Sequence, residues 1–129
     1  MAKVLDSSAV LAVLFEEPGW RKAWHELPGG VLNAVNAAEV LSVLVRNGMP
    51  LDEAQIALQK TMLRIIDFTS EYAVKTAELL TPKARSGGIS LGDRACMATG
   101  LLLGAPVVTA ERKWNALNIP GLEIELIRD

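Results

Sequence analysis

Four carboxylates in this 129-residue chain stand at the joints between short apolar runs and helix-like segments. Asp6 follows the run at Val4 and Leu5 in VLDSS. Glu39 lies in NAAEV, Asp93 in SLGDRA and Glu111 in VVTAE. An ionised carboxylate is costly to take out of water without a compensating charge, so acids in such apolar company need a reason. A divalent cation supplies one. Mg²⁺ and Mn²⁺ favour hard oxygen ligands, and the chain has no His/Cys cluster that would select zinc. An ion of this kind lowers the pKa of bound water and stabilises charge on a phosphoryl group. Grouped acids would repel a nucleic acid when empty and attract its phosphates with metal bound.

Each acid also has a purely structural explanation. Asp6 could cap a helix or shape a turn, because Asp is favoured at helix starts. Asp93 stands three residues after Ser90, the spacing of a capping box. Glu39 could be the wet side of an amphipathic helix, within the polar stripe Asn36, Glu39, Ser42 and Arg46. Glu111 could be a first-turn acid favoured by the helix dipole. Taken singly, none of the four marks a site; what matters is whether the fold brings them together.

The elements that would do so are organised around Ser90 to Glu111. Ser90 opens a helix of small and apolar residues that Gly104 ends. Pro106 leads into a strand at Val107 and Val108, with Thr109 and Glu111 just beyond it. Upstream, a first strand is expected at Lys3 to Leu5 and a helix from Ala9 to Glu16. A short helix from Trp20 to Leu27 and a strand at Val31 and Leu32 follow. Further helices are expected from Asn33 to Asn47, from Glu53 to Met62, and from Thr69 to Ala84 with a kink at Pro82. A third strand is expected at Ile65 to Phe68, a short helix at Arg112 to Leu117, and an edge strand from Leu122 to Ile127. Strands alternating with helices imply an α/β fold with a mostly parallel sheet and helices on both faces. Ligands in such sheets bind at the carboxyl ends of the strands, where the strand order reverses. Asp6 and Glu111 share that edge if the first and fourth strands are neighbours.

Composition sets the outer bounds. One domain spanning 1–129 is expected from the length. With 50% hydrophobic and 22% charged residues, the chain is globular rather than disordered. A formal net charge of −2 argues against a generic nucleic-acid binder, yet leaves room for an acidic site that uses cations. Cys96 is the lone cysteine, so no internal disulfide can form, which fits an intracellular, cytoplasmic location. Asp6 interrupts the apolar N-terminus too early for a signal peptide, and no apolar stretch is long enough to span a membrane.

The set VLDSSAVLA, NAAEVLSVL, SLGDRACMATG and VVTAERKW resembles a PIN domain, and within that family the VapC-like toxin ribonucleases of toxin–antitoxin pairs. The likeness covers nearly the whole chain, in order and spacing. It implies a PIN-like three-layer α/β/α sandwich with about five mostly parallel strands. It also implies Mg²⁺- or Mn²⁺-dependent endonucleolytic cleavage of RNA. By motif, Asp6, Glu39, Asp93 and Glu111 would be the metal-site and catalytic acids, although Glu111 stands where the family usually has Asp. Ser8 and Thr109 could hydrogen-bond a carboxylate or ligand, and Arg94, Arg112 and Lys113 could contact RNA phosphates. The family further implies a homodimer and an antitoxin partner.

Two other readings compete with the nuclease. A non-catalytic PIN-fold module that binds RNA or protein is suggested by Glu111 and the acidic net charge, and would show no specific Mg²⁺ or Mn²⁺ binding. A phosphoryl-transfer or receiver domain on a similar sheet is disfavoured, because the chain reads Asp-Ser-Ser after the first strand rather than Asp-x-Asp. Outside the acid motifs, His25 is read as surface or packing, Cys96 as core, and Trp114 as packing beneath the Glu111 loop. Trp20 and Trp24, four apart, share a helix face that is either core or a partner groove.

Overall fold

The structure, a computed structural model, describes residues 2–129. Five short apolar runs become strands: β1 (Val4–Leu5), β2 (Val31–Asn33), β3 (Arg64–Ile66), β4 (Val107–Thr109) and β5 (Ile124–Leu126). They form one sheet in the order β3-β2-β1-β4-β5, with every pair parallel. Successive strand residues point to opposite faces. Val4, Val31 and Val107 therefore enter one core, and Leu5, Leu32 and Val108 the other. Burial on both faces is why the central strands β1, β2 and β4 are apolar runs, whereas the edge strands β3 and β5 are partly exposed and carry Arg64 and Glu125.

Helices α1 (Ser7–Leu14), α2 (Trp20–Trp24), α3 (Ala34–Arg46) and α4 (Leu51–Lys60) build the Leu5 side through Ala9, Val10, Ala23, Val40, Leu44 and Ala54. The Val4 side is covered by α6 (Pro82–Ser86) and α7 (Leu91–Leu103), with Leu79 from the end of α5 (Ser70–Glu78). Trp114, on a 3₁₀ helix (Arg112–Leu117), is fully buried in that second core, beneath the Glu111 loop. The three-layer α/β/α architecture expected from the alternating pattern is what forms. Among the described residues no helix is long and apolar enough to cross a membrane.

One of the expected helices does not form as a single element. The helix expected from Thr69 to Ala84 is two helices. α5 ends at Glu78, and a new helix starts at Pro82, where Thr81 accepts a hydrogen bond from the Ala84 N–H. A proline inside a helix loses a hydrogen bond and collides with the preceding turn. At the first helical position its missing N–H costs nothing. The chain therefore breaks and restarts rather than kinking.

Close packing of α7 on the sheet depends on Gly100. A Cβ there would collide with Cγ2 of Val107 and lie 3.1 Å from the Ala105 carbonyl oxygen. Gly100→Ala is expected to lower stability by about 2 kcal/mol through overpacking. Thermal unfolding should show a midpoint lower by several degrees; an unchanged midpoint would mean that α7 and β4 can separate freely.

The strand order reverses at β1, which pairs with β2 on one side and β4 on the other. The crevice at such a switch point opens at the carboxyl ends of the strands. Leu5 lies opposite Val108, so the next residues along, Asp6 and Thr109, face each other across the end of the ladder.

Candidate metal centre

Asp6 occupies the N-cap position of α1, yet its side chain caps nothing. Its Oδ2 accepts the Ser8 hydroxyl at 2.6 Å and the Thr109 hydroxyl at 2.9 Å. Each hydroxyl has one hydrogen, so with both spent on Asp6 the 3.3 Å approach of Ser8 to Thr109 is a contact without a shared proton. Ser8 and Thr109 in turn accept backbone N–H groups, from Ala110 and Glu111 respectively, both at 3.0 Å. The two hydroxyls thus lock the Asp6 carboxylate to the end of β4. Its other oxygen, Oδ1, is buried and has no hydrogen-bond partner. Burial raises the Asp6 pKa to about 7; the Ser8 and Thr109 hydrogen bonds oppose the rise, and the charges of Asp93 and Glu39 add to it.

Glu39 is held differently. Its Oε1 accepts the Ser7 hydroxyl at 3.0 Å and the Asn36 amide at 2.8 Å. Its carboxylate also packs against Gly92, where a Cβ would overlap it. Asn36, expected on a wet stripe, is fully buried. Asp93 forms the capping box: Ser90 Oγ accepts the Asp93 N–H at 3.1 Å, and Asp93 Oδ2 accepts the Ser90 N–H at 2.9 Å. Lys113 Nζ lies 4.0 Å from that same Oδ2. For Asp93, then, the structural role and a site role are not alternatives, because the cap occupies one oxygen.

The three acids share a pattern. Each is fixed through one carboxylate oxygen, which leaves the second out of the protein's hydrogen bonds. They also share a neighbourhood: Asp93 and Glu39 act on Asp6, and the charges of all three add to the burial that pushes the Cys96 thiol up. Glu111 stands apart. Its backbone reaches Thr109, but its side chain lines an open depression with Ala110, Arg112, Lys113 and Asp129. Arg112 is exposed at this rim. Arg94 turns away, donating to the Thr76 carbonyl at 3.0 Å and tying α7 to α5 rather than facing the acids. One helical residue is about 100° of rotation, so sequence neighbours of Asp93 do not share its face.

Among the described residues, no three of His, Cys, Asp and Glu converge closely enough to hold an ion by themselves. The donor set nonetheless fits a hard divalent cation. Asp6 presents a buried, unpartnered oxygen within electrostatic range of two further carboxylates, and Mg²⁺ keeps several waters when protein carboxylates bind it. Sequence reasoning missed Ser7, Asn33, Asn36, Gly92 and Thr99 as support for the acids. The only available signal was the clustering of Asn33, Asn36 and Glu39 at helical spacing.

A parallel five-stranded sheet covered by helices on both faces, with acids at its switch point, defines an α/β domain with an acidic crevice. Residues 3–119 match the PIN domain model, and the chain belongs to the PIN-domain family. No curated protein matches it. Among solved structures it is similar to a chain of a toxin–antitoxin complex from Klebsiella pneumoniae, with a TM-score of 0.76 and 17% identity over 99% of both chains. It is similar to a chain of VapBC2 from Rickettsia felis bound to promoter DNA, at TM-score 0.72 and 21% identity over 98% of both. VapBC-5 from Mycobacterium tuberculosis gives a TM-score of 0.60 and 24% identity, covering 99% of this chain and 98% of that one. At these identities the likeness is one of fold.

Proposed function

We propose that this PIN domain is a Mg²⁺- or Mn²⁺-dependent endoribonuclease, the toxin of a toxin–antitoxin pair. The observation that carries the reading is the buried, unpartnered Oδ1 of Asp6 at the strand switch point, with Asp93 and Glu39 close enough to raise its pKa. Asp6 and Asp93 hold the ion, Glu39 orients water, and Ser8 and Thr109 keep Asp6 in place. A bound ion supplies an activated water and stabilises charge on the phosphoryl group. Arg112 and Lys113 at the open rim receive RNA phosphates.

The toxin assignment is supported by the solved relatives, described as toxin–antitoxin or VapBC assemblies. A protein partner also suits the surface. Trp24 is 54% exposed and rims a groove with Val13, Leu14, Leu27 and Pro28. Leu41, Val45 and Leu51 line a second apolar depression. An antitoxin segment in the first and a second copy of the chain at the second would bury them.

Asp93→Asn tests the activity cleanly. Asparagine keeps an oxygen to accept the Ser90 N–H, so the cap survives while the charge is lost. Cleavage of RNA with Mn²⁺ should fall by about 10²- to 10³-fold, a loss of several kcal/mol of transition-state stabilisation, with little change in melting. Equal cleavage by both proteins removes Asp93 from the site. If the wild-type chain neither cleaves RNA nor binds Mn²⁺, the non-catalytic binding module is the better reading. Glu111 makes no side-chain tie to Asp6, so Glu111→Asp should keep or raise cleavage in the same assay. A tenfold loss would mean that the rim is built for the longer side chain.

A further inference from the structure

Behind Glu39 runs a chain of fully buried polar side chains with every hydrogen assigned. The Thr99 hydroxyl donates to the Ala95 carbonyl at 2.8 Å, within α7. Asn33 Nδ2 donates to Thr99 Oγ1 at 3.0 Å and to Asn36 Oδ1 at 2.9 Å, and Asn33 Oδ1 accepts the Asn36 N–H at 2.8 Å. Asn36 Nδ2 then uses both its hydrogens, one on Glu39 Oε1 at 2.8 Å and one on the Gly92 carbonyl at 3.0 Å. The orientation of the Asn36 amide is forced. Reversed, it would set its oxygen against a carboxylate and a carbonyl. Asn33, Asn36 and Thr99 are each fully buried.

The endpoints of this chain give it a purpose beyond packing. Gly92 immediately precedes Asp93, so one amide group ties the Glu39 carboxylate to the turn that carries Asp93. We infer that Asn36 is a positioning residue that sets Glu39 against Asp93, and so sets the affinity of the acidic site for a divalent cation. This rests on the metal-site reading above. Asn33 and Thr99 act one step further back: they hold Asn36 in the orientation that donates. A buried polar network satisfied throughout is rigid, and a break in it leaves its members free to reorient. Outer partners of metal-binding carboxylates commonly change metal affinity by about 10- to 100-fold.

The test is a double-mutant cycle read by calorimetric titration with Mn²⁺ alone, on the full chain. Asn36→Ala should weaken Mn²⁺ binding about 10- to 100-fold in the wild-type background and by less than about threefold in a Glu39→Ala background, because the residue acts through Glu39. A general loss of folding would instead weaken both backgrounds alike, and thermal melts of each variant monitor it. If Asn36→Ala does not fold, Asn36→Leu takes its place, close to the amide in shape but with no group that can donate to Glu39. Wild-type binding that is unaffected by either substitution, or lost equally in both backgrounds, overturns the positioning role alone. Absence of Mn²⁺ binding by the wild-type chain overturns this role and the metal site together.

Discussion

Asp6→Asn is expected to make the metal-free protein more stable while abolishing cleavage. The wild-type carboxylate is buried, one of its oxygens has no partner, and Asp93 and Glu39 repel it. Its pKa is about 7 in the folded protein against an ordinary 3.8, so the folded state binds the proton more tightly than the unfolded one. Stability contributed by this group is therefore fully present below about pH 3.8 and is lost as the pH rises through about 7. At pH 8 the accumulated penalty is on the order of 4 kcal/mol. Asparagine removes the charge and still accepts the Ser8 and Thr109 hydroxyls, but it buries an amide N–H₂ whose own desolvation offsets part of the gain. A net rise of roughly 1–2 kcal/mol at pH 8, several degrees in the melting midpoint, is the expected balance.

Two further measurements separate this account from a generic stabilising substitution. At pH 5 the folded wild type already carries the proton but the unfolded chain does not, so about 1.6 kcal/mol of the penalty is left and the advantage of asparagine should shrink by more than about 2 kcal/mol, enough to cancel it. With Mn²⁺ present at about 100 times its dissociation constant, the wild type gains about 2.7 kcal/mol that the variant cannot, so the ranking inverts. Cleavage by Asp6→Asn should fall by about 10³-fold. A variant that is less stable at pH 8 without metal would show that Asp6 holds the fold rather than the ion. The trade is the usual one at a functional site, where a locally unfavourable group persists because the ligand needs it.

How far the sequence carried this far depends on which physical signals are local. The five strands and a mostly parallel sheet follow from short apolar runs between helical segments, and the Ser90–Asp93 capping box from a three-residue spacing; the strand order itself is not in the local pattern. Asp6 reads from the sequence as an acid at a strand end, with a cap and a ligand as equal alternatives. Both roles require the same residue type there, and only the position of Thr109 across the sheet directs the side chain inward. Asn36 misled for the same reason. Its spacing with Glu39 reads as a wet helix face, and α7, distant in sequence, is what buries it. The break at Thr81–Pro82 was misplaced because a kink and a restart share a proline. Arg94 was credited by adjacency to Asp93, whereas helical rotation carries it to Thr76.

The same substitution at two glycines of α7 should have opposite consequences, and this tests the assignment of Glu39 most sharply. At Gly100 an added methyl meets β4 and the backbone before it, neither of which can yield, so the cost falls on stability. At Gly92 the atoms nearest the added methyl all belong to the carboxylate of Glu39, the far end of a flexible side chain. Glu39 can swing aside, but then it leaves Asn36 and Ser7. Replacing Gly by Ala in a helix is itself favourable by up to about 1 kcal/mol, which offsets part of the displacement. Gly92→Ala is therefore expected to melt within about 3 °C of the wild type, to bind Mn²⁺ at least tenfold more weakly, and to cleave RNA about 10²-fold more slowly. Calorimetry and a cleavage assay on Gly92→Ala and Gly100→Ala side by side make the comparison. If Gly92→Ala retains full Mn²⁺ affinity and full cleavage, the carboxylate of Glu39 is not part of the centre, however close to Asp6 and Asp93 the fold has brought it.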